Sequence, residues 1–235
     1  YINHAFIIFE GPDFKFATDP WAVGPAFANG WWLKEPSDVD WLEELNNCDF
    51  IYISHNHPDH LNYSTLKLCK KDIPIVTPNY LNDSTSKLLR DYGFQKIIKF
   101  NFNESIKFKK SKLIFSLLKS GDFRDDSGIY FSYGDFTCLA DVDCNFVNFG
   151  NLPKVDLYCS SYAGGATAYP IMFDNYKLSD KNKKQKMDSV FLLKQKIDNL
   201  RVTKSKYFLP YAGSFETRLT RDAYVSKNLY KNKIE

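Results

Sequence analysis

The chain has no Cys-x-x-Cys pair; its five cysteines (Cys48, Cys69, Cys138, Cys144 and Cys159) are scattered. That spacing excludes a self-contained iron–sulfur or Rieske centre, which needs paired Cys or Cys and His ligands. An odd cysteine count without a secretory leader argues against a disulfide framework and for free thiols in a reducing cytoplasm. Long apolar runs are missing too, so no membrane-spanning helix is expected. A strong charge of either sign is absent: the formal net charge is +3, and lysine outnumbers arginine. The densest basic group, residues 181–186, lies beside a helix start and reads as a solvated face. A nucleic-acid groove is therefore not expected. The chain opens on Tyr1 rather than Met, which leaves room for sequence upstream.

What is present points to a large core. The 235 residues are 44% hydrophobic and 17% aromatic, enough for one sizeable domain and too apolar for a disordered chain. Histidine is scarce, yet three of the four fall within six residues: His55-Asn56-His57-Pro58-Asp59-His60. Imidazole is the commonest metal ligand near neutral pH, and carboxylate is a natural companion. In an extended chain, His55 and His57 leave the same face and can grip one ion. Asp59 and His60 follow on a turn, toward a second ion. The alternative, surface histidines on a loop, does not account for ligand spacing this tight.

The flanks place the cluster. Residues 50–54 are apolar, β-branched and aromatic, as in a buried strand, and residues 64–70 read as a helix start. The histidines thus fall at the carboxyl end of a strand, where open α/β sheets carry chemistry. Residues 5–9 and 14–18 flank Gly11-Pro12-Asp13 as a hairpin. Short helices are expected near 39–46 and 82–92, the latter stopped by Gly93. Strands are expected at 73–77, 105–108, 113–117, 129–133, 136–140, 155–159 and 206–210. The longest helical pattern covers 187–200, with Val190, Leu193, Ile197 and Leu200 on one side. A last helix follows Thr220.

Several stretches resemble a known family. Asp19-Pro20-Trp21, the histidine cluster and the later Asp-bearing strand ends are similar to the metallo-β-lactamase superfamily. A narrower likeness is to the catalytic domain of the CMP-N-acetylneuraminate hydroxylase family of monooxygenases. It is carried by residues 19–32, 51–66, Asp141-Val142-Asp143-Cys144, Tyr162-Ala163-Gly164-Gly165-Ala166 and Tyr169-Pro170, and more loosely by Pro210-Tyr211-Ala212-Gly213. The resemblance implies an α/β (α+β by some schemes), four-layer αβ/βα sandwich. It implies one domain over residues 1–235, with a Rieske-type domain upstream or on a separate protein. It also implies a two-metal site: His55 and His57 on one ion, Asp59 and His60 on the other, Asp143 bridging, and Asp59 in the catalytic machinery. A water shared by two cations ionises near neutral pH.

The chain departs from the superfamily pattern at two histidines. One is replaced in the stretch Lys119-Ser120-Gly121-Asp122-Phe123-Arg124-Asp125-Asp126, where Asp122 falls nearest, with Asp125 or Asp126 as substitutes. The other is replaced by Tyr211-Ala212-Gly213. A more anionic ligand set favours iron or manganese over zinc. His4 stands apart, either behind the ligands or as a satisfied structural residue. Trp21, Trp31, Trp32 and Phe27 either stack on a substrate or form a buried cluster. Gly164 and Gly165 permit close backbone approach by an anion, or a tight turn. Arg124 and Arg218 either clamp an anionic, sugar-like substrate or sit solvated. Three functions follow: an iron oxygenase fed by an external Rieske-type donor, a two-metal hydrolase, or a binding module with a degenerate site.

Overall fold

The computed structural model describes residues 1–37, 39–109, 111–163 and 169–232. Its first half runs β1 (Ile7–Gly11), β2 (Phe14–Thr18), β3 (Trp32–Leu33), α1 (Trp41–Asn46), β4 (Phe50–Tyr52), α2 (Tyr63–Leu66), β5 (Ile75–Pro78), α3 (Ser84–Asp91) and β6 (Ile97–Phe100). The second half runs β7 (Ile106–Lys107), β8 (Leu113–Lys119), β9 (Ser127–Tyr133), β10 (Phe136–Val142), β11 (Leu157–Ser161), α4 (Leu178–Thr203), β12 (Tyr207–Tyr211), β13 (Phe215–Glu216) and α5 (Ala223–Asn228).

Two sheets carry most of the strands. One is ordered β1-β2-β4-β5-β6, the other β12-β11-β10-β9-β8-β7. Alternation along the strands decides the layers, because successive side chains leave opposite faces. Phe50 and Tyr52 of β4 join a central cluster with Phe115, Phe131 and Ala140 of the second sheet. Ile51 and the following Ile53 turn the other way, to Leu45 of α1, Leu66 of α2 and Leu89 of α3. On the second sheet Cys138 and Cys159 face the centre, while Leu139 and Tyr158 face outward to a cluster joined by Leu200 of α4. The order is helix, sheet, sheet, helix, the four-layer sandwich expected from the sequence.

The centre is aromatic. Phe16 stacks on Phe50 at 4.8 Å and meets Phe131 edge-on at 5.3 Å, so one ring ties both sheets together. Phe16→Leu keeps most of the volume and loses these ring contacts. Its unfolding free energy is expected to fall by about 1–2 kcal/mol, read from urea midpoints.

Three expectations change. β6 was not anticipated: Ile97 and Ile98 lie on the sheet's edge strand, half-buried or exposed, so the apolar signal is short. The helix after the histidines is one turn, capped by the Asn62 side chain on the Thr65 N–H. α4 is longer than its periodic core, and Val190, Leu193 and Ile197 face solvent rather than the body of the protein. Gly93 does stop α3, one residue beyond its cap and with φ at +93°.

Strand direction builds the site. β2 and β4 are parallel neighbours, as are β10, β11 and β12. Their carboxyl ends deliver Asp19, the histidine segment, Asp143 and Ala212. The two edges are joined by the Ala212 N–H, which donates to the His4 carbonyl at 2.9 Å.

Candidate metal centre

The site edge is held in an uncommon backbone conformation. His4, Asp19, Val142 and Ala212 all have φ between +40° and +63°. For a β-branched residue such as Val142 this is a true outlier, and such residues cluster where side chains must be aimed. The ladder between β10 and β11 also slips between Ala140 and Val142. A bulge of this kind re-aims the residues after it. Here the next residue is Asp143. The Val142 N–H donates to the Tyr211 hydroxyl at 3.0 Å, which secures the bend.

Asp19, fully buried, is the anchor behind the histidines. One oxygen accepts from the Ser54 N–H at 2.7 Å. The other accepts from the Ser54 hydroxyl at 2.6 Å and from His60 Nδ1 at 3.0 Å. Ser54 has one proton to give, and the carboxylate takes it. Its oxygen must therefore accept from His55 Nδ1, 2.9 Å away. The same carboxylate holds a proton on Nδ1 of both His55 and His60 and so turns the Nε2 of each into the site.

Those nitrogens face other ligand-type atoms. His55 Nε2 lies 2.9 Å from His57 Nδ1 and 3.6 Å from Asp126 Oδ1. His60 Nε2 lies 3.4 Å from Asp59 Oδ2 and 3.5 Å from Asp143 Oδ2. Two triads each offer donor atoms within 4.8 Å of one another: His55, His57 and Asp143, and His4, Asp59 and His60. At this edge two buried atoms lack hydrogen-bond partners, His60 Nε2 and Asp59 Oδ1, while Asp126 Oδ2 has only its ion pair with Arg124. Buried polar atoms left without partners are costly, and a cation between them is the simplest remedy. The donor set fits a pair of divalent ions.

The electrostatics agree. Burial disfavours a charged His60, but Asp59, Asp143 and Asp19 outweigh it and hold the imidazole well above its usual range. Burial also works against the Asp59 and Asp143 anions, and the neighbouring His60, with His4 at Asp59 and His55 at Asp143, more than compensates, so both carboxyls sit low. Burial and the adjacent His60 push His55 down, leaving it neutral. A cation is thus already demanded at the centre of the site; without a metal, His60 supplies it as a proton.

His4 takes part through Asp59. Its Nδ1 accepts from the Gly213 N–H at 3.2 Å, so Nε2 carries the proton and donates to Asp59 at 3.2 Å. That makes it the residue that holds Asp59 in place. Sequence reasoning left its role open because 50 residues separate it from the cluster; only the sheet edge brings them together.

Where the superfamily histidine is replaced, Asp126 and not Asp122 approaches the cluster. Asp122 is taken up by the Arg124 N–H and Nε, both at 3.0 Å, and by the Ser120 hydroxyl. Asp126 is buried beside His55, and burial pushes its carboxyl up to about 7 despite the nearby Arg124. Arg124 also has its hands full: Nη1 meets Asp126 at 3.1 Å and Nη2 donates to the Asp143 carbonyl at 2.9 Å. It clamps the site's own carboxylates and also stands in the cavity lining.

A cavity of about 580 Å³ opens beside His57, Asp59 and Asp143. Phe27, Trp31 and Phe215 line one side. Trp31 stacks on Phe215 at 3.7 Å. The inward face of α4 lines another side with Gln185, Asp188, Ser189, Leu192 and Lys196. Of the proposed substrate residues, Trp31 stands in the wall. Trp21 does not: it is fully buried and packs edge-on against His4 at 5.1 Å. Trp32 and Arg218 pair with each other at 5.2 Å outside the cavity lining, and Arg218 is further held by Glu216 at 2.7 Å. Gly164 and Gly165 lie outside the described residues.

Because Asp19 orients two imidazoles, Asp19→Asn is expected to weaken metal binding by about 10–100-fold with little change in fold. An asparagine nitrogen would face Ser54 or His60 donors. Competition with a chromophoric chelator measures the loss.

A sheet-to-sheet sandwich with histidines and carboxylates at its edge is the metallo-β-lactamase fold. The structure is similar to the metallo-β-lactamase fold protein YhfI from Bacillus subtilis, with a TM-score of 0.51 and 14% identity over 97% of this chain and 86% of that one. It is also similar to CmlA, a diiron β-hydroxylase from Streptomyces venezuelae, with a TM-score of 0.63 and 16% identity over 97% of this chain and 48% of that one. No family model matches the chain. The chain is similar to the cytidine monophosphate-N-acetylneuraminic acid hydroxylases: it is 35% identical to the one from Asterias rubens over 99% of its own length. It spans 37% of that relative's length and 41% of the one from Mus musculus, to which it is also 35% identical over 99% of its length. Among the described residues, no helix is long and apolar enough to cross a membrane.

Proposed function

We propose that this chain is the metal-dependent part of a hydroxylase that acts on an acidic, nucleotide-activated sugar. The observation that carries the reading is the combination of 35% identity to the CMP-N-acetylneuraminic acid hydroxylases with a set of seven histidines and aspartates at the sheet edge, of which His4, His55, Asp59, His60 and Asp126 are buried. His55, His57 and Asp126 surround one ion, Asp59 and His60 the other, and Asp143 lies between them. Asp122 is not a ligand in this arrangement. An oxygen-rich set of this kind favours iron. Two bound iron ions would supply oxygen activation, with electrons from a separate Rieske-type donor.

The protein's own residues do the rest. Asp19 and His4 orient the ligands from behind. Asp59 stays ionised between His4 and His60, which suits a ligand better than a proton carrier. Arg124 offsets the charge of Asp122 and Asp126. Trp31 and Phe215 give a flat apolar wall, and the polar face of α4 gives hydrogen-bonding groups for a sugar or nucleotide.

The test is to strip the protein, load it anaerobically with Fe(II), and add CMP-N-acetylneuraminate, a chemical reductant and oxygen. The expected result is oxygen uptake and a product heavier by one oxygen atom, both dependent on iron. Zinc-dependent cleavage of lactones or phosphodiesters without oxygen uptake would replace this reading with a hydrolase. Failure to bind any of Fe, Mn or Zn would reduce the site to a binding module.

A further inference from the structure

α4 is inverted for a surface helix. Its buried side chains are Lys181, Gln185, Ser189, Lys196 and Thr203, whereas Met187, Val190, Phe191 and Val202 are each more than 50% exposed. Leu193 and Ile197 extend the outer apolar row, at 37% and 40% exposure. Val190, Leu193 and Ile197 fall at the 3–4 spacing of a helix-packing seam. The polar inner face is accounted for by the cavity it lines; the apolar outer face is not.

Charge says what would cover it. Residues 177–206 hold ten Lys and Arg against three Asp, so this segment alone is more basic than the whole chain, whose net charge is +3. One of those acids, Asp198, is already shared by Lys194 and Arg201, at 2.9 and 3.3 Å. On the wheel, Lys183, Lys194 and Arg201 fall in the middle of the apolar row rather than at its margins.

We propose that the outer face of α4 docks a protein partner that presents an acidic amphipathic helix. Each interrupting cation can then meet a carboxylate while the apolar row is buried between helices. A second copy of the same face would oppose like charges. A bilayer would have to take Lys194 and Arg201 into its apolar region, because they do not flank the row. A nucleic acid would meet side chains such as Val190 and Ile197 at the centre of its footprint.

The test uses the purified chain and a labelled helical peptide of four heptads, with Leu at positions a and d and Glu at e and g. The expected result is saturable binding by fluorescence anisotropy that weakens about tenfold or more in 0.5 M salt. Binding should be lost in a Val190→Glu, Ile197→Glu variant and in a Lys194→Glu, Arg201→Glu variant. Both variants should keep the parent's circular dichroism spectrum and metal content. Four results would overturn the proposal: no binding by the parent; equal binding of a peptide with Lys at e and g; binding to phosphatidylserine-containing vesicles with no affinity for the peptide; or a parent dimer that Ile197→Glu dissociates. A charge-reversed pair that binds the acidic peptide as well as the parent does would equally reject it.

Discussion

A His55→Ala, His57→Ala variant is expected to keep at most one of two metal ions and to lose turnover by about a thousandfold, equivalent to roughly 4 kcal/mol of barrier. The two rings approach to 2.9 Å, and His55 is pinned from behind by Ser54 and Asp19. Little pre-organisation has to be supplied when an ion arrives. Removing both rings leaves Asp126 and Asp143 to hold the first ion with carboxylate alone, while Asp59 and His60, with His4 behind Asp59, still present the second site. The outcome to measure is metal per chain by elemental analysis after loading and desalting, beside circular dichroism to confirm the fold. A variant that retains two ions would place the metals elsewhere. A variant that retains activity with one ion would restrict the chemistry to the Asp59–His60 side.

The histidine segment was legible because its information is local: ligand residues two to five apart, after a short apolar strand. The layers came from the family resemblance; the apolar run at 50–54 gave only a buried strand, and Phe50 and Ile51 do pack on opposite faces of it. What could not be read depends on long-range geometry. His4 reaches Asp59 only because β2 and β4 run side by side and Ala212 and Gly213 close over the N-terminal segment. Asp19 stood in a recognised motif, but its anchoring role needs the Ser54 and His60 protons to be traced. Asp122 and Asp126 are both plausible by position; Arg124 pairs with both, and the structure sets Asp126 3.6 Å from His55 Nε2. Trp21 and Trp31 belong to one loop, yet one is sealed under His4 and the other stacks in the cavity wall.

α4 shows why periodicity misleads when a cavity lies beneath a helix. Most helices turn their apolar side inward. Here the inner side lines the cavity with polar groups and carries an ion pair: Lys196 meets Asp141 at 3.1 Å, with their side chains 5% and 0% exposed. Asp141 also accepts from Tyr158 and Ser160, both at 2.5 Å. It precedes Asp143 by two residues, so the pair fastens the helix beside the strand end that feeds the site.

Lys196→Met should therefore cost about 3–5 kcal/mol near neutral pH, because it leaves a buried carboxylate without its cation. Burial already pushes the Asp141 carboxyl above its usual range, against the pull of Lys196, Ser160 and Tyr158. Without the lysine it rises further. A folded-state pKa above the unfolded value means that the native state holds the extra proton, so stability is fullest at low pH and falls as pH rises through the folded pKa. The deficit of the variant against the parent should thus be small near pH 4 and grow toward pH 8, read from urea midpoints. Adding Asp141→Asn removes the charge that suffers, and should return most of the loss and flatten the pH dependence. Equal deficits at both ends of the range, with no recovery in the double variant, would mean that Lys196 serves α4 through its aliphatic stem rather than its charge.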